Sequence, residues 1–326
     1  MVLTAYGIPH VMGYLKTQAG EHCDKPIGWA GLMDTAAENG LAGVEVHLPK
    51  DPVEQEEFTK ALRDRDLKLV GDYGILINGE IEEIKDYMRA HARLGVKVLR
   101  AMISGVLCGD RRKLEGGWDA QLRQTAAYLR DLLPLAEELG IAIAMENHQD
   151  ATSDDLLNLW DMVGRSPAYG VTLDAGNPLA VGEDPVEFAH RVAPLLRHAH
   201  LKDYTIHFAP EGYRLVRCAA GDGVVDFPAI LGILRSNGHD VLPGIEIAAQ
   251  QTRTIPLLES GWWECHLPTP ATRLIPALQI LWDKGKPLDQ PYSSAWERGG
   301  DSAAVCAEEW DILNRSIAYF RKIGAV

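Results

Sequence analysis

Short apolar runs recur along the chain, and most feed a longer segment whose apolar positions repeat every three or four residues. The short runs predict buried strands over 5–8, 43–48, 67–72, 96–102, 141–145, 170–173, 198–201 and 244–247. The longer segments predict amphipathic helices over 52–65, 81–94, 120–139, 154–163 and 185–196, with a last helix near 307–322. Such alternation calls for parallel strands joined by right-handed helical crossovers. In "ENGLAGVEVHL", "ARLGVKVLRA", "EELGIAIAMEN" and "SNGHDVLPGIEI", a helical segment ends at a Gly just before an apolar strand. A left-handed helix terminus feeding the next strand needs that order.

Eight such strands fit a (β/α)8 barrel better than a doubly wound sheet. No G-x-G-x-x-G follows the first strand, and the chain has no Walker A lysine motif. One barrel domain is expected over 1–326, with two additions. Residues 204–225 read as a hairpin excursion with a Gly-rich return. Residues 250–300, rich in Pro and Trp, read as a lid-like or subunit-interface insertion after strand eight, followed by the C-terminal helix.

A barrel gathers the C-terminal ends of its strands on one rim, so residues there share one mouth. The strand "IAIAMENHQD" is apolar until Glu146, Asn147 and His148, and its apolar half is expected to fill the barrel. "YGVTLDAGNP" brings Asp174 and Asn177, "HAHLKD" brings His198, His200, Lys202 and Asp203, and "LPGIEIAA" brings Glu246. Glu146, Asp174, His200 and Glu246 therefore read as a mixed oxygen and nitrogen site for one divalent ion, Mn first, with Mg or Co as alternatives. The competing reading pairs Glu146 and Glu246 with Lys202 or Arg100 as ordinary strand-end ion pairs.

His148 stands two residues beyond Glu146 and Lys202 two beyond His200, so each shares a face with its ligand if the strand continues. His148 reads as an acid/base group or as an orienter of a ligand. Lys202 reads as an oxyanion or carboxylate partner, or as an ion pair with Asp203 or Glu246. Glu146 and Glu246 are themselves catalytic candidates. Asn147 and Asn177 suit sugar hydroxyls or loop caps. His10 and Arg100 are candidate substrate contacts, and Asp72 and Ser104 line the same mouth; Glu45 and His47 share a face with one another and read as partly structural. In the insertion, Trp262 suits the apolar face of a sugar and Arg253 an acid group, while Trp160, Trp282, Trp296 and Trp310 need only packing roles.

The formal charge of -14 is spread along the chain and disfavours a nucleic-acid partner. Five Cys form no C-x-x-C site, and the sequence shows no signal-peptide pattern or long apolar span. The expected setting is cytoplasmic, without a membrane partner, and with a homo-oligomer contact as the other use of the insertion.

In order along nearly the whole chain, "MENH", "LDAGN", "HLKD", "GDGVVDFPAILGILRSNG" and "GIEI" resemble the xylose isomerase-like TIM-barrel superfamily, often labelled sugar phosphate isomerase/epimerase. The resemblance implies that Glu146, Asp174, His200 and Glu246 match its Glu-Asp-His-Glu metal set, commonly filled by Mn, Mg or Co. In its tagatose 3-epimerase-like members the two ligating glutamates serve as opposed acid/base groups. "HLKDY" is more similar to the inosose and dehydroshikimate dehydratases, although those often carry His in place of Asn177. "RTIPLLESGWW" and "ALQILWDKGKP" resemble members associated with 3-oxo-isoapionate decarboxylation. The implied activity is a divalent-metal-dependent isomerase, epimerase or lyase acting on a ketosugar or oxo-sugar acid through a metal-stabilised enediolate. A noncatalytic sugar-binding barrel is the rival of a different class. An endonuclease IV-like repair enzyme would want a trinuclear zinc cluster and a phosphate-tracking surface, which the acidic chain disfavours.

Overall fold

The computed structural model describes residues 1–247, 251–266, 268–289 and 292–326. In chain order the strands are β1 (Val2–Thr4), β2 (Gly43–Val46), β3 (Lys68–Ile75), β4 (Val98–Met102), β5 (Ala142–Glu146), β6 (Tyr169–Asp174), β7 (Leu196–Leu201), β8 (Asp203–Ala209), β9 (Gly212–Cys218), β10 (Leu242–Ile245) and β11 (Arg253–Ile255). Strands β1 to β7 and β10 are all parallel and close into a barrel, β10 pairing with both β7 and β1. Strands β8 and β9 form an antiparallel hairpin that β11 extends to a three-stranded sheet.

Helices α1 (Gly28–Glu38), α2 (Pro52–Asp64), α3 (Ile81–Arg93), α4 (Trp118–Leu139), α5 (Ser153–Met162), α6 (Pro185–Val192) and α7 (Phe227–Ser236) connect the barrel strands. After β11 come α8 (Ser260–Trp263), α9 (Ala271–Lys284) and α10 (Ser302–Lys322). Their starts are set locally. Asp51 accepts hydrogen bonds from the amides of Val53 and Glu54 ahead of Pro52, and Thr152 and Asp155 form a reciprocal capping box on α5. Their exits follow the four glycines read from the sequence: Gly40, Gly95, Gly140 and Gly238 all have positive φ. Gly140, at φ 65°, closes α4 by donating to the carbonyls of Ala136 and Glu137.

The strand periodicity sorts the core. Leu3, Val44, Leu99, Ala101, Ile143, Met145, Val171, Leu173, Ala199 and Leu201 join the buried cluster that also contains Phe58, Leu129, Phe188 and Ile230 from the helices. The alternate positions point into the barrel, where Glu45, Arg100, Glu146, His198 and His200 contact one another across it. The expectation that the apolar half of 141–150 fills the barrel is therefore corrected. Ile143 and Met145 face the helices, and the interior is polar towards the mouth.

Four other expectations change. The first strand is Val2–Thr4, and Ala5–Gly7 is a 3-10 turn; a Cβ on Gly7 would come within 2.9 Å of the Ile245 carbonyl, a sign of how closely the turn hugs the rim. The helix over 185–196 stops at Val192, and a 3-10 turn, Ala193–Leu195, containing Pro194 follows it. The insertion is more regular than expected, containing β11, α8 and α9; its Gln250, Leu267, Gln290 and Pro291 lie outside the described residues. Trp282 on α9 does not pack: it is 84% exposed.

Candidate metal centre and barrel mouth

β5 ends at Glu146 and β6 at Asp174, β7 presents His200, and Glu246 follows β10 by one residue. Register aligns them, with Asp174 paired to His200 and His200 to Gly244. All four side chains are buried, and one ligand atom from each lies within 4.8 Å of the others. His200 Nδ1 is 2.5 Å from Glu246 Oε2 and 3.6 Å from Glu146 Oε1. Nδ1 thus faces both carboxylates, and neither it nor Glu146 Oε1 makes a well-directed hydrogen bond. Buried polar atoms are rarely left so. Three carboxylates and an imidazole nitrogen converging this closely are the donor set a hard or borderline divalent cation takes, so these residues fit one.

Around this set stands a layer of supports. Glu45 Oε2, from β2, lies 2.8 Å from His200 Nε2 and 2.8 Å from His198 Nε2, and His198 Nδ1 lies 2.7 Å from the Leu242 carbonyl. Burial opposes charge on Glu45, but His200 and His198 hold its carboxyl well below the usual range. An ionised Glu45 accepts the Nε2 proton of His200 and turns Nδ1 towards the Glu146 and Glu246 carboxylates, the ring orientation a ligand needs. Arg100, from β4, donates from Nε to Glu146 Oε2 at 2.6 Å and from Nη1 to Asp72 at 2.7 Å. Burial works against the Glu146 charge, yet Arg100 holds the carboxyl down at about 2. Lys202 Nζ reaches Asp174 Oδ2 at 2.6 Å and Glu246 Oε1 at 2.9 Å, and these carboxylates outweigh burial to keep it an ammonium. Five buried carboxylates, Glu45, Asp72, Glu146, Asp174 and Glu246, thus meet two permanent cations, Arg100 and Lys202. The surplus negative charge is what a divalent ion offsets.

Both readings of the strand-end charges hold together: Glu146 and Glu246 are ion-paired with Arg100 and Lys202 and also turn an oxygen into the cluster. His148 is half-buried, with Nδ1 enclosed and unpartnered, and burial pushes its pKa down to about 4. Asn147 clamps Asp174, accepting from its amide at 2.7 Å and donating to its carbonyl at 3.0 Å. Asn177 Oδ1 accepts from the Tyr204 hydroxyl at 3.1 Å, while its Nδ2 has no partner.

Two expected contacts are corrected. His10 is fully buried, its ring nitrogens 2.8 Å from the Leu15 carbonyl and 3.2 Å from Ser302 Oγ, so it ties the N-terminal segment to α10. Trp262 is also enclosed; its indole donates to the Cys108 carbonyl at 3.0 Å and its ring packs on Trp263 and His266. An aromatic wall is supplied instead by Tyr6 and Tyr14, about two-fifths exposed, with ring centroids 5.3 Å apart and Tyr6 edge-on to His47. Sequence reading missed these tyrosines and the role of Glu45. The strand expected over 5–8 hides Tyr6, and alternation along β2 sets Glu45 beside His47, which pairs with Asp72 instead.

A closed parallel barrel with a buried acidic and histidine cluster that could hold a metal ion on the C-terminal rim of its strands has the arrangement of a TIM-barrel enzyme. The chain belongs to the xylose isomerase-like TIM barrel family, whose model matches residues 33–260. It is 25% identical to the 3-oxo-isoapionate decarboxylase of Pectobacterium atrosepticum over 69% of this chain and 79% of that one. It is 25% identical to an inosose dehydratase of Clostridium beijerinckii over 66% and 85%. A xylose isomerase-like TIM-barrel protein of Mycobacterium smegmatis, solved in complex with magnesium, superposes with a TM-score of 0.55 at 18% identity, covering 86% of this chain and 96% of that one. Among the described residues no helix is long and apolar enough to cross a membrane.

Proposed function

We propose that the protein is a divalent-metal-dependent isomerase, epimerase or lyase of a ketosugar or oxo-sugar acid, with Mn the favoured ion ahead of Mg or Co. The observation that carries this is the convergence of one ligand atom from each of Glu146, Asp174, His200 and Glu246 within 4.8 Å of the others, all four side chains buried. When bound there, the ion supplies a Lewis acid for negative charge developing on an oxygen beside a carbonyl.

The chain's own groups divide the remaining work. Lys202 places a fixed ammonium beside the cluster, where it meets an oxyanion or a carboxylate of the substrate. His148, neutral because burial lowers its pKa, is available to take a proton and return it. Glu146, held acidic by Arg100 against the effect of burial, is a weak base. We favour a lyase, dehydrating or decarboxylating, with His148 as the proton carrier, over an epimerase working through Glu146 and Glu246. The similarity to a curated decarboxylase and to inosose dehydratases supports the same preference. Tyr6 and Tyr14 form a wall on which a sugar face can rest, and the Asn177 amide is a donor for a hydroxyl.

The test is a product screen of Mn-loaded protein with ketoses, inososes and oxo-sugar acids, followed by NMR in deuterated water. Loss of water or carbon dioxide is expected, together with loss of turnover in His148→Ala at unchanged fold. Deuterium in an unchanged carbon skeleton would move the assignment to isomerase or epimerase. Full turnover after both chelation and His148→Ala would overturn the proposal.

A further inference from the structure

We propose that Cys23 and Cys306 are a reversible disulfide site: a small-molecule disulfide oxidises the pair, and the new bond staples the segment over 9–27, which carries Tyr14, to α10.

The pairing grows out of helix periodicity. Ser302, Cys306 and Glu309 stand at i, i+4 and i+7 along α10 and so share one face. Each meets the N-terminal segment. Ser302 Oγ lies 3.2 Å from His10 Nε2, and the Ser302 amide donates to Glu21 Oε2 at 3.3 Å. Glu309 accepts from the amides of His10 at 3.1 Å and Val11 at 2.9 Å. Between them the Cys306 thiol donates to the Cys23 sulfur at 3.4 Å, a short approach from bonding distance. Both cysteines are free and only partly buried, within reach of a small oxidant. Among the described residues no third histidine, cysteine or carboxylate joins them in a metal-binding group, so the pair answers to thiol chemistry.

The segment is one that a covalent bond would change. Of residues 13–26, Thr17 alone is buried, so little apolar packing holds them. Their other ties to the C-terminal region are hydrogen bonds: the Trp296 indole donates to the Lys16 carbonyl at 2.8 Å, and the Gln18 amide donates to the Glu297 carbonyl at 3.3 Å. A stretch held in this way opens locally far more readily than the barrel. Joining position 23 to position 306 restricts that opening, and with it the freedom of Tyr14 to leave Tyr6 at the mouth.

The two sulfurs have different tasks. Burial, followed by the contact with Cys23, pushes the Cys306 thiol up to about 12, so Cys306 keeps its proton and offers it to Cys23. A donor in that position favours the thiolate on Cys23, which makes Cys23 the attacking sulfur. Its thiolate displaces one thiolate from the small disulfide and leaves a mixed disulfide at Cys23. Cys306 then loses its proton, attacks the Cys23 sulfur and expels the second thiolate. Two protein thiols are oxidised to one disulfide, the small disulfide is reduced to two thiols, and the protons released by the cysteines go to those thiols.

The full chain, equilibrated with excess oxidised glutathione or with dithiothreitol, tests this. Oxidation is expected to lower the intact mass by two hydrogens, peptide mapping to place the bond between Cys23 and Cys306, and dithiothreitol to reverse it. Trypsin should cut after Lys16 about tenfold more slowly in the oxidised protein. Cys306→Ser should be cut at one rate in both buffers, with Cys23→Ser as the deciding variant if Cys306→Ser does not fold. Cysteines 23 and 306 both still alkylated by iodoacetamide after oxidation, or Cys23 bonded only to glutathione or to another protein sulfur, would overturn the site. A Cys23–Cys306 bond that leaves cleavage at Lys16 unchanged would overturn the staple.

Discussion

Along the late half of the rim, β5, β6, β7 and the end of β10 each deliver one member of the proposed ligand set, Glu146, Asp174, His200 and Glu246. Along the early half, β2, β3 and β4 deliver Glu45, Asp72 and Arg100, which reach across the interior and touch those ligands or one another. Ligands and supports thus come from different strands of one barrel. The division has a physical reason. Several carboxylates cannot be buried together unless cations and hydrogen-bond donors answer them, and here the early strands provide Arg100 for Glu146 and Glu45 for the far nitrogen of His200. The late half has the donor atoms a cation needs, and the early half fixes their protonation and direction.

The largest expected effect lies on the ligand side. His200→Ala or Glu246→Gln should abolish both metal binding and turnover, read by calorimetry with Mn and by product formation; a variant that keeps wild-type affinity would break the division of roles. Next comes Arg100→Gln, which leaves the buried Glu146 charge unanswered. It should cost about 3–5 kcal/mol of stability in a denaturant titration of the metal-free protein. A cost under 1 kcal/mol would show that Arg100 does not hold Glu146.

A third prediction provides a control outside the rim. His91 on α3 is fully buried, its Nδ1 lies 2.8 Å from the Tyr87 carbonyl, and its Nε2 has no partner. Burial lowers its pKa from 6.5 to about 4. Folding therefore favours the neutral ring: its contribution is complete above pH 6.5 and is lost as pH falls towards 4. The loss is about 3 kcal/mol, and it should be missing in His91→Phe while Mn affinity at pH 7 is kept. Equal pH dependence in both proteins would remove His91 from the account. The smallest effect is assigned to Glu45→Gln, which should weaken Mn binding about 10- to 100-fold without abolishing it. A loss as complete as that of His200→Ala would make Glu45 a ligand and erase the distinction between the two halves.

Much of the late half was legible because its signals are local. Glu146, Asp174 and Glu246 each close an apolar run, and the glycines at 40, 95, 140 and 238 mark helix exits through their backbone alone. The early half was harder to read because its meaning depends on distance. Glu45 finds His198 and His200 at sequence separations of 153 and 155, and nothing beside it announces that pairing. Residue type also carries no direction: His10 and Trp262 have the chemistry of substrate contacts, but the fold closes Ser302 and Leu15 around one and the Cys108 loop around the other. In the insertion, Pro276 inside α9 and the prolines flanking it masked a helical period that packing restores around Ala277 and Leu281.

Two groups of donor atoms compete for the same imidazole, Glu146–Asp174–His200–Glu246 on one side and Glu45–His198–His200 on the other. An anomalous difference map from a crystal soaked in Mn separates them most directly. The account predicts one peak bonded to Glu146, Asp174, His200 Nδ1 and Glu246, with Glu45 retained on Nε2. A peak shared by Glu45, His198 and His200, or none within reach of either group, would contradict it.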